Sequence, residues 1–398
     1  MQPLHGFSVI LALAAAAGLA VFFALHGISE LKTAAISSDG DGANLSNASA
    51  SLSSIEDCLS DIPRLEDCAD SRVEKLLETK STKDLLAELD SLGKSNGVWL
   101  QQCHPVVHVI GRMTFKKAGT LHAAFAACDQ TCHSGCYHGA MERSFGLEDE
   151  VGGIHSKLPA ELIMEKAPTV CATGFEELSL KFQCLHGLGH AVLFFLSYNI
   201  STALAACDTL PENWDRQSCY GGLFMENIVA ADKSKRYLNS DPHFPCNALD
   251  AKYGYACYQM QTSRMLELGL SYPQIAAECA KAGNFTEPCF VSMGRDASNI
   301  AREDASRAVP ICTVLQNQAD RQACIRGLIA ALNDNTWDGR YSFPLCATLP
   351  DDMDRGYCYD YAVYYLLTIL RISAQAVKES CLTHGGGVAG CLAALEKL

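Results

Sequence analysis

The chain is poor in positive charge. Its 31 Lys and Arg are outnumbered by 45 Asp and Glu, for a formal net charge of −14 at pH 7. Phosphate binding needs a basic stripe, so this balance argues against a nucleic-acid partner. No C-x-x-C occurs, which removes the usual clustered metal–thiolate site. H-E-x-x-H is missing, and with it the zincin protease signature. G-x-S-x-G and a phosphate loop ending in G-K-[ST] are missing as well. Strand-like alternation of apolar and polar residues is scarce, so an all-β or α/β fold is disfavoured.

What the chain has instead is cysteine. Twenty of them spread from Cys58 to Cys391. An even number, evenly spaced, points to a disulfide framework built in an oxidising compartment. The N-terminus fits that location. Phe7 to Leu25 is an apolar run interrupted only by Ser8, and about twenty such residues cross a bilayer. Small residues at Ala15 to Ala20 leave a cleavable secretory signal as the rival reading. The apolar run continues beyond them, and no basic segment precedes it. An uncleaved transmembrane anchor is therefore expected over 7–27 after a short tail at 1–6, with the body outside the cytoplasm. Residues 28–54, rich in Ser, Ala and Asn, read as a flexible linker. This linker carries glycosylation-type sequons at Asn44 and Asn47; two more lie at Asn199 and Asn284.

From residue 55 to 398 the cysteines fall into close pairs. Cys58 and Cys68, Cys171 and Cys184, Cys207 and Cys219, and Cys246 and Cys257 are each separated by ten to thirteen residues. So are Cys279 and Cys289, Cys312 and Cys324, Cys346 and Cys358, and Cys381 and Cys391. From Cys171 on, the first members recur every 33 to 39 residues, a period typical of repeat arrays. The neighbouring text recurs too. Ala205-Ala-Cys-Asp-Thr-Leu leads to Asp215-Arg-Gln-Ser-Cys-Tyr-Gly-Gly, and Pro310-Ile-Cys-Thr-Val-Leu leads to Asp320-Arg-Gln-Ala-Cys-Ile-Arg-Gly. Each unit reads as two helices around a turn rich in Pro, Asn and Asp. A disulfide across such a hairpin contributes about 2–3 kcal/mol. Period and cysteine placement together resemble αα-hairpin solenoids of the Sel1-like and tetratricopeptide type, in their disulfide-stapled secreted versions. That resemblance implies an architecture and no activity. The expected fold is thus all-α, an αα-hairpin repeat solenoid with about one disulfide per hairpin behind a single transmembrane helix.

Between Cys103 and Cys136 the spacing rule loosens. Aligning on Cys-Tyr-x-Gly pairs Cys128 with Cys136 and leaves Cys103 and Cys132. These two either bridge neighbouring hairpins or remain free thiols beside the histidines.

The histidines crowd into the His-rich part, 100–230. Eight of the twelve, His104, His108, His122, His133, His138, His155, His186 and His190, lie between 104 and 190. Residues four apart share a helix face, and His104/His108, His138/Glu142 and His186/His190 have that spacing. These six are the candidate metal ligands. Counted from the second cysteine of each unit, His138 and His186 occupy one position, where later units carry Gly221, Gln259, Val291, Arg326 and Asp360. A purely structural residue would recur with its unit. Imidazole and carboxylate suit Zn, Cu or Fe, with Glu142 or Glu226 as general base if the site is catalytic. Covalent haem is disfavoured, since Cys128-Asp-Gln-Thr-Cys132-His133 has one residue more than C-x-x-C-H. Two readings follow: an anchored extracytoplasmic metalloprotein with a catalytic, redox or metal-handling role, or a scaffold that binds a protein partner on its solenoid surface. In the second, the histidines are structural.

Overall fold

The computed structural model describes residues 51–61, 64–146, 158–175, 177–230, 232–384 and 387–397. The expected anchor and nearly all of the linker lie outside them. Among the described residues no helix is long and apolar enough to cross a membrane.

Ala50–Leu398 form one compact unit. All its regular elements are helical, and no strand occurs among the described residues. Order starts slightly earlier than the composition suggests, with a 3-10 helix at Leu52–Ser60. Leu52 and Ile55 are fully buried there, and the Leu52 N–H donates to Glu88. Two buried apolar side chains outweigh the Ser-rich text around them.

The helices follow as α1 (Leu65–Thr79), α2 (Thr82–Ser95), α3 (Gly97–Gln101) and α4 (Cys103–Ala118). Next come α5 (Leu121–Ala127) with α6 (Thr131–Gly146), α7 (Ala160–Val170) with α8 (Leu178–Phe195), and α9 (Ile200–Asp208) with α10 (Asn213–Val229). α11 (Ala251–Glu267) precedes α12 (Tyr272–Cys279) and α13 (Thr286–Glu303). α14 (Ala305–Thr313) leads to α15 (Gln318–Thr336), and α16 (Ser342–Thr348) to α17 (Asp352–Tyr364). A hairpin of α18 (Ala374–His384) and α19 (Val388–Leu395) ends the chain.

Ten disulfides staple this body. Cys128–Cys136, Cys171–Cys184, Cys207–Cys219, Cys279–Cys289, Cys312–Cys324, Cys346–Cys358 and Cys381–Cys391 each tie a short helix, or the residue capping it, to the helix that follows. Cys58–Cys68 does this for the 3-10 helix and α1. Cys246–Cys257 anchors a turn to α11 in place of a first helix. Cys103–Cys132 joins α4 to α6.

The second helices of the hairpins form an inner row in which α4, α6, α8, α10, α11, α13, α15, α17 and α19 pack in succession. The row does not stay open, because α15 also packs against α6. Three contacts in it are made backbone to backbone. A Cβ on Gly111 would run into the Cys136 carbonyl, and one on Gly139 into that of His108. The reciprocal relation recurs in α8/α10, where Gly189 meets Cys219 and Gly222 meets His186. It appears a third time in α13/α15, with Gly294 on Cys324 and Gly327 on Val291. Without side chains in between, the helices of each pair approach until Cα–H groups meet carbonyls. This close approach sets the site.

Candidate metal centre

Two of the three backbone-packed pairs carry histidine where the third does not. His108 and His186 occupy the position filled by Val291 in α13, as the glycine contacts define it. The first pair adds His104, His138 and Glu142, and the second adds His190 and Glu226. The sharing of one scaffold position by His, His and Val separates the histidines from the requirements of the fold.

Five rings meet where α4, α6 and α8 pack together. His138 is central. Its ring centroid lies 5.6 Å from His104, 5.4 Å from His108, 5.2 Å from His186 and 4.7 Å from His190. His138, His186 and His190 are buried, while His104 and His108 are partly buried. Potential ligand nitrogens fall into two sets, His104/His108/His138 and His138/His186/His190, each within 4.8 Å.

The hydrogen bonds settle which nitrogens are available. His104 Nδ1 lies 2.8 Å from the Cys132 carbonyl oxygen, which only accepts, so Nδ1 carries the proton. His108 Nδ1 donates to Glu142 Oε1 at 2.9 Å, and His190 Nδ1 donates to Glu226 Oε2 at 3.0 Å. His186 is held by the Ser218 backbone. Outer partners of this kind orient metal-binding imidazoles and raise their basicity. With both rings neutral and protonated on Nδ1, the Nε2 lone pairs of His104 and His108 face each other at 3.1 Å. Two neutral rings in that state repel unless a metal ion lies between them or one ring takes up a second proton. Nitrogens on one tetrahedral Zn²⁺ are about 3.3 Å apart, given bonds of 2.0–2.1 Å. Burial, and then neighbouring His108, hold His104 well below its usual range. Burial followed by the adjacent rings does the same to His138 and His186. His138 Nδ1 and His190 Nε2 are buried with no hydrogen-bond partner, a costly state for polar atoms.

The sequence spacing put Glu142 among the ligands, and the structure places it behind His108. Burial alone would raise its pKa, but His108 and Arg112 outweigh that and hold the carboxyl at about 2. Arg112, almost fully buried, reaches both Glu142 Oε2 and Asp70 Oδ1. Glu226 sits behind His190 in the same way, and its other oxygen accepts from the Tyr198 hydroxyl at 2.6 Å. Both candidate general bases are thus tied to imidazole. His122 is exposed beside Phe175, His133 is also exposed, and His155 lies outside the described residues. Cys128 and Cys132 of the haem-like segment are both taken up in disulfides.

Sequence reasoning missed Arg112, Tyr198 and the turn that opens α6. Cys132, His133 and Ser134 are successive left-handed residues, with φ of 53°, 58° and 61°. Each such residue costs about 1–3 kcal/mol when it is not glycine. The turn presents the Cys132 carbonyl to His104. No local signal in Thr131-Cys-His-Ser-Gly announces it, because none of the three strained residues is Gly or Asn.

No known protein family, curated protein or solved structure matches this chain.

Proposed function

We propose that this is an extracytoplasmic metalloprotein, anchored by its N-terminal apolar run, whose buried histidine cluster holds a resident transition metal of catalytic or redox type. The carrying observation is the pair of Nε2 atoms that His104 and His108 turn to each other, each ring backed by an acceptor on its other nitrogen. Structural zinc sites close all four positions, commonly with Cys, whereas three imidazoles leave a position for water or substrate. Neutral nitrogen donors favour Cu or Zn over Mg or Ca. Tightly held outer partners favour retention of the ion over its release to another carrier. Ten disulfides support an oxidising extracytoplasmic location. The recurring cysteine staple and glycine contacts support reading the body as hairpin repeats whose inner row turns back on itself at α15 and α6.

The test is elemental analysis of the full chain, purified from an oxidising host in detergent without a polyhistidine tag. Stoichiometric metal in wild type, reduced in His186→Ala/His190→Ala of unchanged helicity, is the expected result. A folded, fully oxidised protein that takes up no Zn, Cu or Fe would overturn the reading and favour a scaffold with structural histidines.

A further inference from the structure

We infer that the histidine cluster is a two-ion centre, with His138 giving one ring nitrogen to each ion; this rests on the metal reading above. The nitrogens can be counted. His104, His108, His186 and His190 each commit one ring nitrogen, to the Cys132 carbonyl, Glu142, the Ser218 backbone and Glu226 respectively. One nitrogen remains on each. Among the described residues no hydrogen bond holds His138, and its Nδ1 is buried and unpaired. Four nitrogens from the outer rings and two from His138 make two sets of three.

The rings are placed accordingly. They form two triangles that meet only at His138. One has sides of 4.6, 5.6 and 5.4 Å (His104, His108, His138), and the other 5.2, 4.7 and 5.1 Å (His138, His186, His190). Imidazoles converging on one tetrahedral ion have centroids about 5 Å apart, from bonds of 2.0–2.1 Å. Each triangle has that size. Across the pair, His108 and His190 approach to 6.2 Å. The five residues divide into two groups of possible ligands instead of one. Each triangle also has its own carboxylate, Glu142 behind His108 and Glu226 behind His190.

The charges are compatible with two divalent ions. A neutral imidazole has one lone pair, so serving both ions requires His138 to lose its remaining ring proton to solvent. The resulting imidazolate, with Glu142, Glu226 and Asp70, sets four negative charges against the four of the ions and the one of Arg112. Three nitrogens on each ion leave a position on each for an exogenous ligand.

The experiment loads the metal-stripped full chain with Cu(II), and in parallel with Zn(II), and reads stoichiometry by elemental analysis and the Cu(II) spin by electron paramagnetic resonance. Wild type should bind two equivalents, with most of the Cu(II) signal lost through exchange across the shared ring. His104→Ala/His108→Ala and His186→Ala/His190→Ala should each keep one equivalent and show a full, uncoupled signal. The corresponding Gln double variants preserve volume and stand in for any Ala variant that fails to fold. One equivalent in wild type, abolished by either double variant, would overturn the two-ion centre and leave the metal reading standing. Two equivalents with full uncoupled intensity would overturn the shared ring. No binding in a folded sample would overturn both.

Discussion

His108 and Glu142 are bonded across one of the backbone-to-backbone helix contacts, with Nδ1 donating to Oε1 at 2.9 Å. One turn away, Gly139 lies against the carbonyl of the same His108. Backbone approach and side-chain orientation at this ring are therefore one arrangement. A helix pair a side chain's width further apart would put the carboxylate out of reach.

Glu142→Gln keeps an acceptor for His108 and removes the charge. Metal affinity should fall about 10–100-fold, the usual effect of losing such an outer partner, with helicity unchanged. Competition against a chelator of known affinity measures it. An unchanged affinity would mean that Glu142 serves Arg112 alone.

Gly139→Ala drives a methyl into the His108 carbonyl, and the backbone cannot give way as a flexible side chain would. A loss of about 3 kcal/mol or more is expected, at the upper end of overpacking effects. Gly356→Ala in α17 meets nothing within 4 Å and should stabilise by about 0.5–1 kcal/mol. Thermal melts of the two variants beside wild type check the contrast.

Replacing both Cys103 and Cys132 with Ala opens a loop whose ends are 29 residues apart. About 3 kcal/mol of stability should be lost. Cys103 precedes His104, and the Cys132 carbonyl accepts from it, so metal affinity should drop as well. The matching Cys381→Ala/Cys391→Ala variant, in the last hairpin, should lose stability while its metal affinity stays at the wild-type value. Equal loss of affinity in both would argue against any special coupling of the first disulfide to the site.

Asp334 lies partly buried on α15 and accepts from the Tyr365 hydroxyl at 2.8 Å. Burial raises its carboxyl from 3.8 to about 6 against the effect of that bond. Between those two pH values the folded chain binds the proton and the unfolded chain does not. Stability from this group is therefore gained as pH falls from about 6 towards 4, and lost above 6. Asp334→Asn should stabilise the protein at pH 7 by about 1–2 kcal/mol, after allowance for partial exposure. At pH 4 it should change little. Denaturant melts at the two pH values test the sign.

The arrangement of the cysteines was legible in the sequence, and so was the place of the candidate site. Disulfide partners a hairpin apart must be near each other in the chain, so Cys207 with Cys219 or Cys312 with Cys324 is visible as spacing. Residues four apart on a helix must share a face, so His104/His108 and His186/His190 are visible as pairs. The burial of Leu52 and Ile55 had no local signal, because Leu52 is held by Glu88 on α2, far along the chain.

The sequence by itself determined that the chain forms helical hairpins, closed by disulfides at a steady period, with most of the histidines in the early ones. Only the tertiary structure decided that five of eight neighbouring histidines converge, that His138 stands between two pairs, and that Glu142 and Glu226 lie behind the rings. Spacing along one helix is set by 1.5 Å of rise per residue. The distance and rotation between helices are set by contacts such as Gly139 on His108, made across 31 residues of chain. Which nitrogen of each ring stays free depends on acceptors as remote as Cys132 is from His104, and no local pattern encodes them.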